Sequence, residues 1–219
     1  MKRIPGAAMN LSSMRAIIHQ AQLEEQRSGR LARLLGNRLP QLHPSIRLPL
    51  ENGSQSLLQF VSAYIEQVPD LLEAAARVAG ETGLQAHIDP LLRVAEEFFQ
   101  APRHAEAGLA ALLDDAYLAQ RLIEEVNDRY LVQLGRPLIP LDNTTANLIA
   151  HQLIGEPYAN SLDQAIFETV DGLLDPARMT SEERQTCRAC LEDEETRQAW
   201  QQWPCLSRQL GMELRLGSL

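Results

Sequence analysis

Seven residues constrain this chain most: Leu109, Leu112, Ala116, Ala119, Ile123, Val126 and Tyr130 recur at steps of three and four. That spacing keeps them on one face of an α-helix, which turns once in 3.6 residues. The helix that carries them should follow Pro102 and run to about Leu134, where Gly135 and Pro137 end it. An apolar stripe of this length must be covered by other helices, so it is expected to be the spine of a bundle.

The rest of the chain reads with the same period. A strand would need β-branched and aromatic runs between turn signals, and only Ser45-Ile46-Arg47-Leu48 hints at extension, too little for a sheet. The expected fold is therefore all-α: an irregular bundle of about seven to nine helices, its N-terminal amphipathic helix joined by a Pro-rich connector. No repeat period between twenty and fifty residues is visible, which argues against a solenoid.

The first helix is expected over Leu11 to Leu35, with Leu11, Met14, Ile17, Ile18, Ala21, Ala32 and Leu35 on one face and Arg15, Arg30 and Arg33 on the other. Gly29 weakens its second half, and Gly36-Asn37 ends it. Pro40, Pro44 and Pro49 then hold the backbone extended. A helix from Ser54 to Gln67 should kink or restart at Pro69 and continue from Asp70 to Ala79, stopping at Gly80. Asp89-Pro90 has the form of a helix start, with a capping side chain before a proline, and that helix should reach about Gln100. Shorter helices follow, one over about Asn143 to Leu153. Two more are opened by capping boxes at Ser161 with Gln164 and at Thr180 with Glu183. A last one spans about Asp193 to Trp203, where Trp200 and Trp203 read as core or interface anchors.

Charge divides the chain in two. Residues 1–50 hold eight basic and two acidic side chains, a net of +6; residues 51–219 hold twelve and twenty-seven, a net of −15, which together make the chain's −9. The reading is a basic helical arm with its Pro-rich connector, 1–50, on an acidic all-helical domain, 51–219. An acidic body disfavours nucleic acid, whose phosphates it would repel, and the basic segment would give a membrane surface only salt-sensitive affinity. No apolar run approaches the ~20 residues that span a bilayer. The N-terminus is too polar for a secretion signal. Three cysteines late in the chain do not make a disulfide framework. The expected compartment is the cytoplasm.

Three constellations invite chemistry. The first is Asp142, Asn143, Asn147 and His151, the last three at i, i+4 and i+8 of one helix, beside a turn-rich stretch that includes Glu156 and Tyr158. Polar groups aligned between Leu148, Ile149 and Leu153 suit a ligand pocket or a partner surface, while Asp142 or Asn143 equally suits an N-cap. The second is Cys187 with Cys190, two thiols on one helix face. Zinc wants four ligands and no histidine follows His151, so ordinary packed thiols are the plainer reading. The third is the acidic set Asp114, Asp115, Glu124, Glu125 and Asp128, in which Glu125 has Arg121 and Arg129 at helical spacing. Without the Glu-x-x-His elements of a di-iron bundle, these acids read as a solvated face.

Nucleotide-binding glycine motifs, a nucleophile elbow and a zinc-protease helix are all missing from the sequence. No cofactor is implied. The leading expectation is a non-enzymatic regulator or adaptor that binds a protein partner or a second copy of itself through helical surfaces. The alternative is a helical enzyme or ligand-binding protein with a pocket near Asn147, His151 and Tyr158.

Overall fold

The computed structural model describes residues 9–48, 53–100, 108–139, 143–194, 198, 206–210 and 212–214. Among them are eight helices of nine residues or more: α1 (Leu11–Ser28), α2 (Arg30–Arg38), α3 (Gly53–Glu81), α4 (Gln85–Gln100), α5 (Gly108–Leu134), α6 (Thr144–Ile154), α7 (Tyr158–Leu173) and α8 (Ser181–Glu192). A four-residue turn, α9 (Leu206–Gln209), follows. The all-α multi-helix bundle read from periodicity is the fold.

Helix α5 is its spine. It touches α1, α2, α3, α4, α6 and α7, and all seven residues of its stripe are buried. Burial extends well beyond the stripe, to Leu113, Tyr117, Leu118 and Leu122, because neighbours surround the helix on several sides. At its C-terminal end the buried Asn127 accepts from the backbone N–H of Ile139 and donates to that residue's carbonyl, tying the spine to the segment before α6.

The differences from the sequence reading lie where tertiary packing overrules a local signal. The helix expected over Leu11 to Leu35 is two helices. Gly29 takes a left-handed φ of 59° that ends α1, and its N–H bonds the Glu25 carbonyl. The buried Glu25 carboxylate then accepts from the backbone N–H groups of Leu31 and Ala32, satisfying two of the orphan donors of α2. The turn also separates the arginines: Arg15 reaches Asp70 and Glu73 on α3, whereas Arg30 and Arg33 stand on α2.

Pro69 neither breaks nor restarts a helix; α3 runs through it unbroken. A proline inside a helix costs about 3 kcal/mol. The fully buried Phe60, Val61, Tyr64, Ile65, Val68 and Leu72 flank it, and each such side chain gains roughly 1.5–3 kcal/mol on burial. Packing therefore outweighs the lost hydrogen bond. For the same reason α4 starts at Gln85 rather than at Pro90: Leu84, Ile88, Leu91 and Leu92 are buried and hold the first turn in place. The Ser161 capping box is not formed either, since α7 already begins at Tyr158 and the Ser161 hydroxyl donates to the Tyr158 carbonyl.

The second capping box is formed as expected. The Thr180 hydroxyl accepts from the Glu183 N–H, and the Glu183 carboxylate accepts from the Thr180 N–H. In the connector, Ile46 and Arg47 form a two-residue strand, β1, antiparallel to Glu213–Leu214, β2, near the C-terminus. Most of the helix expected over Asp193 to Trp203, with both tryptophans and Cys205, lies outside the described residues.

The apolar residues of α1 and α2 enter the same hydrophobic core as those of α3 to α8: Met14, Leu31 and Leu35 are fully buried in it. Among the described residues no helix is long and apolar enough to cross a membrane.

Candidate functional site

Polar side chains converge where α3, α5, α6 and α7 meet. Asn147, on the inward face of α6, is buried. It accepts from the Tyr64 hydroxyl of α3 at 2.6 Å and donates to Glu124 of α5 at 2.6 Å. Next to it, Gln120 donates to the backbone carbonyl of Tyr64. One turn along α6, His151 faces Asn160 at 3.0 Å and Asp163 at 3.5 Å, both on α7. The edge of its ring meets Tyr117, whose hydroxyl donates to Asp163 at 2.6 Å.

Arg121 stands at the centre. Its guanidinium lies 3.5 Å from Glu124, 3.4 Å from Glu125 and 3.5 Å from Asp163. A second cation, Arg129, closes on Glu125 at 2.9 Å and Asp171 at 2.6 Å while stacking over the Phe167 ring. Burial pulls the Arg121 guanidinium toward neutrality, but the charges of Glu124, Asp163 and Glu125 outweigh it and its pKa is raised. Burial, then the bond to Asp163, drives the Tyr117 phenol upward; burial does the same to Tyr64. Both phenols stay protonated at neutral pH.

The acidic set of α5 is thus not a solvated face. Asp115 and Glu125 are buried, and Glu124 and Glu125 are held by arginines one turn away. The pairing of Glu125 with Arg121 and Arg129 is the one that helical spacing indicates. Asp128 alone of these acids is exposed. Partial burial, then repulsion from Glu124 and Glu125, raises its pKa. A carboxyl raised in the folded state destabilises the fold while ionised, and the penalty is relieved as pH falls through its folded value. Asp128→Asn should therefore stabilise the protein by about 0.3–0.5 kcal/mol at pH 7. The gain should vanish below about pH 3.5, under the ordinary aspartate range. Urea denaturation at the two pH values measures both; a gain that persists in acid would assign the effect to something other than charge.

Of the residues singled out in the sequence, Asn147 and His151 enter this network. Asn143 sits at the N-terminal boundary of α6 without capping it through its side chain. Glu156 lies on the exposed turn between α6 and α7, Tyr158 is exposed at the start of α7, and Asp142 is outside the described residues. Cys187 is buried and Cys190 half-buried. Burial pushes the Cys187 thiol up to about 11 and raises Cys190 too, so both are neutral packing groups near pH 7. Among the described residues no three His, Cys, Asp or Glu side chains gather to hold a metal ion.

A second feature is hidden from the sequence reading. A groove of about 400 Å³ runs along α2 and the turn after it, lined by Arg30, Arg33, Leu34, Asn37, Arg38 and Gln41. Arg38 leaves α2 to lie against Gly155 in the α6–α7 turn, where a Cβ would run into its guanidinium. The available signal is the spacing of Arg30, Arg33, Asn37 and Gln41. Joining the arginines to Arg15 in one long helix conceals it.

In comparisons with known proteins, no family model matches the chain, and neither does any curated protein or solved structure.

Proposed function

We propose that this chain is a non-enzymatic interaction protein, a regulator or adaptor that works through its helical surface. One observation supports the reading above the others: the groups with chemical potential are engaged with one another inside the bundle. Tyr117 donates to Asp163, Tyr64 to Asn147, and Asn147 to Glu124. Arg121 sits among three carboxylates. A network joined in this way orients helices and leaves few groups to bind or activate a substrate; of its buried atoms, Gln120 Oε1 and Arg121 Nη1 have no hydrogen-bond partner among the described residues. The open groove lies instead on α2, where its lining meets solvent.

Native mass spectrometry of the full chain, recovered by affinity tag from its host lysate, tests this. The expected result is a second polypeptide held at a fixed stoichiometry, or a homo-oligomer, with no small molecule retained on the bare chain. A retained organic molecule or metal whose mass disappears in His151→Ala, with the helical signal unchanged, would overturn it and point to a ligand site at the α5–α6–α7 junction.

A further inference from the structure

Six arginines of the bundle find carboxylates: Arg15, Arg77, Arg121, Arg129, Arg136 and Arg178 make ion pairs. Among the described residues Arg27, Arg47, Arg93, Arg184 and Arg188 do not, and neither do the three that stand together on α2. Arg30, Arg33 and Arg38 carry no ion pair among the described residues, and Arg33 makes its hydrogen bond to the backbone carbonyl of Ser28. A chain with a net charge of −9 thus leaves three guanidinium groups without counter-charge among the described residues on one shallow, open surface. Guanidinium is the side chain best shaped to grip carboxylate, through parallel N–H donors in a plane.

The shape of the lining narrows the occupant. Arg30, Arg33, Leu34, Asn37 and Gln41 follow one face of α2 and its continuing turn. At 1.5 Å per residue they extend over roughly 16 Å, the length of about five residues of extended chain. Between the cations lies Leu34, an exposed apolar side chain, and beyond it the amides of Asn37 and Gln41 can bond a peptide backbone. A compact phosphate would need converging donors and would leave Leu34 unused. A long polyanion would be repelled by a chain whose net charge is −9.

We propose that the α2 groove seats a short acidic segment of a partner protein, its carboxylates on Arg30, Arg33 and Arg38 and an apolar side chain on Leu34. The assignment rests on the interaction reading above and gives it a surface and a partner chemistry. Gly155 bears on the same surface: lacking a side chain, it leaves room for the Arg38 guanidinium against the α6–α7 turn.

The test is fluorescence anisotropy with the full-length chain and a labelled ten-residue peptide of glutamates and aspartates carrying two leucines. A lysine-rich peptide of equal length and inorganic pyrophosphate serve as competitors. The acidic peptide should bind, weaken as salt rises from about 50 to about 300 mM, and ignore the lysine peptide. Arg30→Glu with Arg38→Gln should reduce affinity at least about tenfold, and Leu34→Ser by several-fold. Arg30 and Leu34 are exposed and Arg38 is half-buried, so circular dichroism is run on both variants to check that each keeps the wild-type fold.

Unchanged affinity in the arginine variant, or no binding by the wild type at millimolar peptide, would overturn the proposal. Displacement by pyrophosphate at lower concentration than unlabelled peptide would overturn it as well, in favour of a phosphate site. A protein captured from lysate whose stoichiometry survives both sets of substitutions would sink the groove assignment and leave the interaction reading standing. Absence of any bound polypeptide or second copy would remove both.

Discussion

Removal of residues 1–50 is expected to abolish the cooperative thermal transition of the protein and leave residues 51–219 aggregation-prone. Met14, Ile18, Leu31 and Leu35 are buried by at least 96%, on helices packed against α3, α4 and α5. At roughly 1.5–3 kcal/mol for each large apolar side chain, their burial contributes about 6–12 kcal/mol. The whole net stability of a domain is about 5–15 kcal/mol. The deletion would also bare the faces of α3 and α5 that these residues cover, an apolar exposure that favours association. Circular dichroism melts of the full chain and the truncated one decide the matter. A truncated protein that melts cooperatively within a few degrees of the full chain, with the same helicity per residue, would show that residues 1–50 are a separable arm. Leu31→Ala is the milder companion: at a fully buried site it should cost about 2–5 kcal/mol.

How much of the fold is legible in the sequence follows from how local the governing interactions are. The Thr180–Glu183 capping box needs four consecutive residues and nothing else, and it forms as its sequence indicates. The α5 stripe depends on periodicity alone, and its seven members are all buried. Pro69 and Pro90 mislead because a local penalty of a few kcal/mol is set against burial contributed by other helices, which no stretch of sequence displays. Gly29 is a visible weak point. What turns weakness into a break is the Glu25 carboxylate folding back to cap the next helix.

The site divides along the same line. Asn147 and His151 are legible because four-residue spacing puts them on one face of α6. Their partners Tyr64, Tyr117 and Asp163 come from three other helices, brought in by tertiary packing. Pairing of Glu125 with its flanking arginines is legible, while its burial is not: helical spacing gives neighbours on a surface and says nothing of what covers that surface.

Arg121→Met should be the most damaging single substitution in the polar network. The guanidinium stands within 3.5 Å of Glu124, Glu125 and Asp163, and Glu125 is buried. Methionine fills much of the same space and removes the charge. Three carboxylates are then left to repel one another, with Arg129 still paired to Glu125. Breaking such a pair from one side costs about 3–5 kcal/mol, because the charge left behind remains desolvated. For a chain of this size that is a fall in Tm of roughly 6–20 °C. Adding Glu124→Gln should recover part of the loss at pH 7, since one stranded charge is then gone while Glu125 keeps its pair with Arg129. No rescue by the glutamine would mean that Arg121 acts through its packed alkyl stem and that the network is not held by charge.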